Sequence, residues 1–123
     1  MYEKDPGQLS FEDFELPFKG KLFAENRWVK LSELIPWQEI EEEYSKKFSK
    51  SMGAKSKSAR LGFGALIIKE KLGLTDQETV EQIRENPYLQ FFVGFKEFRM
   101  SAPFDSSMMY TFVNALTEII FVK

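Results

Sequence analysis

From residue 27 onward the apolar positions of this chain repeat with a helical period, broken by residues that start and stop helices. Trp37, Ile40, Tyr44 and Phe48 share one face of a stretch that also carries Glu39, Glu41, Glu42 and Glu43. The glutamates crowd its N-terminal turns, and Lys46 and Lys47 lie near its C-terminal end, a polarity that suits the helix dipole. Leu61, Ala65, Ile68 and Leu72 form the stripe of a more apolar stretch starting near Ser58, widened by Leu66 and Ile67. A helix this apolar belongs at the centre of the fold. Gly73 ends it. Thr75-Asp76-Gln77-Glu78 has the form of a capping box and opens a short helix carrying Val80 and Ile83. Asn86 as cap and Pro87 at the first helical position open the next, which Gly94 is placed to stop. A short helix over Val29–Leu34 precedes Pro36. A last one runs from about Asp105 to Phe121 through Met108, Phe112, Leu116, Ile119 and Ile120, with Asp105 or Ser106 as its cap. The run Ile119-Ile120-Phe121-Val122 also suits a strand.

Residues 1–26 show no sustained period. Phe11, Phe14, Leu16, Pro17, Phe18, Leu22 and Phe23 read instead as an extended arm that lays its aromatics over a core. Residues 49–57 are small, polar and basic and read as a loop. The expected fold is all-α: a compact bundle of five or six short helices in one domain over 27–123, behind an extended aromatic N-terminal arm at 1–26. The helices predicted at 58–72, 75–85 and 87–94, joined by tight turns, form a candidate helix-turn-helix-like unit.

Composition removes several kinds of chemistry. With 123 residues, 43% of them hydrophobic, the chain can bury a core without staples. It has no Cys and no His, so disulfides, thiolate metal sites and the commonest general base are absent. No apolar run reaches the roughly 18 residues of a membrane span, and the acidic N-terminus is no signal peptide; a cytoplasmic protein is expected. The carboxylates of Glu39, Glu41, Glu42 and Glu43 diverge on a solvated helix face and make a poor metal site. Gly62-Phe63-Gly64 lacks the Lys-Ser/Thr of a phosphate loop and sits inside an apolar helix, where it predicts close helix–helix approach. Phe91, Phe92, Phe95 and Phe98 lack interleaved cations and read as core rather than as a base-stacking platform. Trp28 and Trp37 read as packing residues.

Charge is unevenly spread around a net of −2. Residues 46–71 carry Lys46, Lys47, Lys50, Lys55, Lys57, Arg60, Lys69 and Lys71 against Glu70 alone, while the flanking segments are acidic. A positive block on an acidic chain is a candidate nucleic-acid footprint; the alternative is a solvated lysine surface. The residues assigned to phosphate contact are Lys46, Lys47, Lys50, Lys55, Lys57, Arg60 and Lys69.

The wording of several segments is more specific than their periodicity. Arg27-Trp28-Val29-Lys30-Leu31, Ile35-Pro36-Trp37, Arg60-Leu61-Gly62-Phe63-Gly64-Ala65-Leu66-Ile67-Ile68-Lys69, Gly73-Leu74-Thr75-Asp76 and Thr79-Val80 occur in this order. Glu85-Asn86-Pro87-Tyr88-Leu89-Gln90-Phe91-Phe92-Val93-Gly94-Phe95-Lys96-Glu97-Phe98 and Ala102-Pro103-Phe104-Asp105-Ser106-Ser107-Met108-Met109 follow. Together, over roughly residues 11–109, they resemble the N-terminal domain of bacterial insertion-sequence transposases of the insertion-sequence-5 (InsH-type) kind.

The resemblance implies a role in binding the terminal inverted repeats of a mobile element. In that family the metal-holding carboxylates of a DDE transposase lie in a ribonuclease-H-like domain after the matched segment. The expectation is therefore a truncated, non-enzymatic chain with no cofactor of its own. DNA is the expected partner, with self-association or pairing with a full-length transposase as an alternative, and no membrane. A further alternative is a functionless remnant of a decayed insertion sequence. The chain departs from the family at Val113-Asn114-Ala115, where the resemblance places Arg-Lys-Arg between a Phe and a Leu. A compensated pair of frameshifts would produce that replacement, and comparing the gene with an intact element tests it. If those cations touch phosphate, their loss flattens the salt dependence of DNA binding by about three units of slope.

Overall fold

Helices form where this sequence supplies a cap at one end and an apolar stripe behind it. The structure is a computed structural model that describes residues 10–16, 20–51 and 58–122, the side chains of 47–51, 116 and 118–122 excepted. Among the described residues there are six α-helices: α1 (Arg27–Leu34), α2 (Trp37–Ser51), α3 (Ala59–Leu72), α4 (Asp76–Glu85), α5 (Pro87–Phe92) and α6 (Met108–Val122). The capping box at Thr75 and Glu78 is closed in both directions, at 3.1 and 2.9 Å. Asn86 caps α5 through the N–H groups of Tyr88 and Leu89. Gly73 ends α3 in the left-handed region at φ 66°, where a Cβ would strain the backbone. α1 starts at Arg27, two residues before the predicted Val29, because the Asn26 side chain accepts from the Trp28 N–H at 2.7 Å. Asp105 makes a turn three residues before α6 begins at Met108, its side chain accepting from the Ser107 N–H at 2.9 Å. That bond holds its exposed carboxyl below the usual range. The helical backbone continues through Ile119–Val122, so this run is not a strand.

α3 is the central helix, packed against α2, α4 and α6, while α1 and α4 lie against α5. The core gathers Trp28, Trp37, Tyr44, Ala65, Ile68, Ile83, Phe92, Met109 and Phe112. Both tryptophans meet Phe92 edge-on, at 5.1 and 5.4 Å between ring centres. Gly62 and Gly64 have the role their setting predicts. A Cβ on Gly62 would lie 2.6 Å from Phe112 Cδ1, and one on Gly64 would lie 3.0 Å from Val93 Cγ1. α6 and the end of α5 therefore approach α3 only because these positions have no side chain.

The described part of residues 10–26 lies along the bundle. Phe14 and Leu22 are buried with Val29 and Phe91 in a second apolar cluster. The Glu15 N–H donates to the Lys96 carbonyl at 3.0 Å, and the Phe98 N–H to that of Glu15 at 2.8 Å, a single parallel bridge. Phe23 instead stays 77% exposed. Pro17 and Phe18 lie outside the described residues. The loop after α5 is tied down by Gln90, whose buried amide donates to the carbonyls of Arg84 and Arg99 and accepts from the Arg99 N–H.

One glutamate departs from its expected place. Glu41 is 1% exposed, not on a solvated face. It follows Trp37 by one helical turn and precedes Tyr44 by three residues, so it shares their inward stripe. Its Oε1 accepts from the Ala59 N–H at 3.1 Å, which puts a carboxylate at the N-terminus of α3, where the helix dipole stabilises it.

Burial, and to a lesser degree Glu41, pushes the Tyr44 phenol from its ordinary value of 10.0 up to about 12. The folded state holds this proton more tightly than the unfolded chain. Its contribution is complete below pH 10 and is lost as the pH rises toward 12. About 2 kcal/mol of stability should disappear by pH 12 on this account. Urea titrations at pH 9, 10.5 and 12 check it: Tyr44→Phe should flatten this alkaline fall, and an unchanged slope would refute the assignment.

Candidate nucleic-acid interface

The positive block that runs continuously in the sequence is divided in space. Lys46 is on α2 with its side chain 73% exposed, 3.7 Å from Glu43. Lys69 and Lys71 are in the last turn of α3. The 14 residues of α3 separate its two ends by about 20 Å. Lys69 is joined to Asp76 at the entry to α4, at 3.0 Å. The side chains of Lys47 and Lys50, and the whole of Lys55 and Lys57, lie outside the described residues.

Arg60 is a correction to the sequence reading. It is 2% exposed and its guanidinium points into the bundle. Nε donates to the Phe92 carbonyl at 2.9 Å, and Nη2 to the Phe91 carbonyl at 3.1 Å and to Ser32 Oγ at 3.0 Å. Its Cζ stands 4.5 Å from the centre of the Trp37 ring. Trp37 Nε1 in turn donates to the Ser32 carbonyl at 2.9 Å. Arg60 therefore satisfies the C-terminal carbonyls of α5 and ties it to α1 and α3. No phosphate reaches it while the bundle is folded. The sequence held one signal: Arg60 lies one residue before Leu61, at the edge of the buried stripe.

The candidate helix-turn-helix unit meets a similar limit. α3, α4 and α5 do follow one another through tight turns and touch in sequence. Leu89, Gln90, Phe91 and Phe92 are all buried, however, so α5 cannot lie in a groove of DNA without leaving the core. The outward residues of α4 include Glu78, Glu81 and Glu85 against Arg84, a face that phosphate repels. At 113–115, Val113 and Asn114 are exposed and Ala115 is 7% exposed. Only two of the three positions where the resemblance places cations face outward, which reduces the associated salt-slope change to about two units.

A cationic cluster absent from the sequence reading appears where α1 passes the end of α3. Arg27, Lys30 and Lys71 line one groove there. Arg27 and Lys30 are one turn apart on α1, but only the packed fold brings Lys71 beside them. Lys30 is paired with Glu25 at 2.7 Å, which raises the lysine pKa and lowers that of the carboxylate. Among the described residues no group of three or more His, Cys, Asp and Glu is placed to hold a metal ion. No described helix is long and apolar enough to cross a membrane.

The bundle is thus a helical domain in which the described lysines of the positive block stand apart, Lys46 on α2 and Lys69 and Lys71 in the last turn of α3. Residues 17–115 match the model of the transposase domain family (DUF772), and the chain belongs to that family. It is also similar to a Rhizobium meliloti protein described as "Uncharacterized protein ORF8 in nfe locus", at 40% identity over 81 residues. The match covers 66% of this chain and 39% of that relative, so the chain spans well under half of the relative's length. No solved structure matches the chain.

Proposed function

We propose that this domain serves transposition by holding DNA at the terminal repeats of a mobile element and carries none of the strand-transfer chemistry. The observation that supports this most directly is the junction of α2 and α3. Residues 46–57 hold five lysines and no carboxylate, in a chain with an acidic net charge and a transposase-domain family. Lysine is a flexible point charge suited to phosphate. The contact set is accordingly Lys46, Lys47, Lys50, Lys55 and Lys57, with Arg60 removed because it is buried and Lys69 held back by Asp76.

Fluorescence anisotropy with a labelled terminal-repeat duplex and a scrambled duplex, at several salt concentrations, tests the reading. Each lysine that touches a phosphate contributes about 0.9 to the salt slope. K55Q/K57Q should reduce the slope by about two on both duplexes, and K69Q should leave it unchanged. Binding that ignores all five lysines would overturn the proposal. A preference for the repeat would mark end recognition, whereas equal affinities would limit the domain to non-specific DNA contact.

A second reading, pairing of this domain with itself or with a full-length transposase, draws on α6. Tyr110 and Val113 stand one turn apart on its outer face, 74% and 42% exposed. Concentration-dependent sedimentation that Y110E abolishes would favour it.

A further inference from the structure

The groove between α1 and the end of α3 has the chemistry of a docking site. It encloses about 380 Å³. Its apolar side is made by Leu31, Leu34 and Leu72 over the buried Trp28, and its ionisable lining residues are Arg27, Lys30 and Lys71, with no carboxylate among them. Leu34 is 80% exposed, among the largest exposures of any large apolar residue described. Among the described residues neither Arg27 nor Lys71 has an ion-pair partner, whereas Lys30 is paired with Glu25. A chain with 19 acidic residues has kept them off this lining.

From this combination we infer that the groove receives an amphipathic helix of another protein segment, with leucine-like residues on one face and carboxylates flanking them. The apolar floor selects the class of partner. DNA phosphate gains nothing from an exposed leucine, whereas an apolar helix face loses water against Leu31, Leu34 and Leu72. The cations select the sign. Arg27 and Lys71 lie on opposite elements bordering the same floor, so carboxylates flanking the seated face meet one on each side. A basic helix of the same shape meets like charge on both. The inference stands apart from DNA contact at the α2–α3 junction, whose lysines are not in this groove.

The probe is a labelled peptide with leucine at i, i+3, i+4 and i+7 and glutamate at the remaining positions, titrated into the ¹⁵N-labelled chain. Amide shifts should concentrate in residues 27–34 and at Lys71 and Leu72. Binding should be at least roughly tenfold tighter than for the same peptide with lysine in place of glutamate. Leu34→Glu should weaken the acidic peptide, and R27E/K71E should reverse the preference between the two; these surface changes leave the core intact, which thermal melting checks. Equal affinity for both peptides, absence of binding, shifts located elsewhere, or a DNA duplex perturbing these same amides would each overturn the proposal.

Discussion

Replacing Arg60 with alanine should cost the fold about 3–5 kcal/mol, because hydrogen bonds from a charged donor are worth about 1.5–3 kcal/mol each and are not fully additive. Three hydrogen bonds and the stack on Trp37 disappear together. The Phe91 carbonyl keeps the Gly94 N–H as a donor at 2.9 Å, but the Phe92 carbonyl loses the donor that Arg60 Nε gives it. An unsatisfied buried carbonyl alone costs about 1–3 kcal/mol. A domain of this size has roughly 5–15 kcal/mol in total, so the variant should melt far earlier or fail to fold. Arg60→Lys should recover only part of the loss, because an ammonium has no planar fork and stacks poorly on indole. Urea denaturation followed by circular dichroism gives the first measurement. The salt slope of DNA binding, taken on whatever fraction remains folded, gives the second. Were R60A to keep its stability to within about 1 kcal/mol and shed one unit of slope, Arg60 would be a phosphate contact after all.

The second large effect should come from the smallest side-chain change. Gly62→Ala places a methyl 2.6 Å from Phe112 Cδ1 and 2.9 Å from its Cγ, distances real Cβ atoms do not tolerate. Phe112 is fully buried, and its ring is held edge-on by Phe104 at 5.2 Å, so it cannot simply swing aside. Overpacking of this kind costs about 1–3 kcal/mol. Alanine's helix propensity returns up to about 1 kcal/mol, so a net loss of about 1–2 kcal/mol is expected. Gly64→Ala should be milder, since its nearest neighbour, a Val93 methyl, stands 3.0 Å away. The decisive comparison is a double-mutant cycle with Phe112→Leu. If the clash is the cause, G62A/F112L should be more stable than the sum of the two single losses by about 1 kcal/mol or more. Additive losses would show that α6 relaxes away from α3 instead.

Both positions show how differently two kinds of information are written into this chain. Gly62-Phe63-Gly64 in an apolar helix announced a close approach, because glycine weakens a helix interior and has few other uses there. The capping box at Thr75, the Asn86-Pro87 start and the Gly73 stop were legible for the same reason: each is settled by bonds among residues a few positions apart. The family was legible because its segments keep their order and wording. Arg60 and Glu41 were misread because a charged residue on a helix is solvated by default. Their exceptions depend on which carbonyls and N–H groups other helices bring near. Phe91 and Phe92 are more than thirty residues from Arg60, and Ala59 is eighteen from Glu41.

The cations make the same point. The sequence by itself determined that the chain is helical, where most of its helices start and stop, that its aromatics form a core, and that its positive charge is concentrated between residues 46 and 71. Only the tertiary structure decided which of those charges stand together. It paired Lys69 with Asp76, drew Arg60 inside, and set Lys71 beside Arg27 and Lys30. The physical reason is range: caps and periodicity act over one or two helical turns, whereas burial and the grouping of surface charge depend on how distant helices pack.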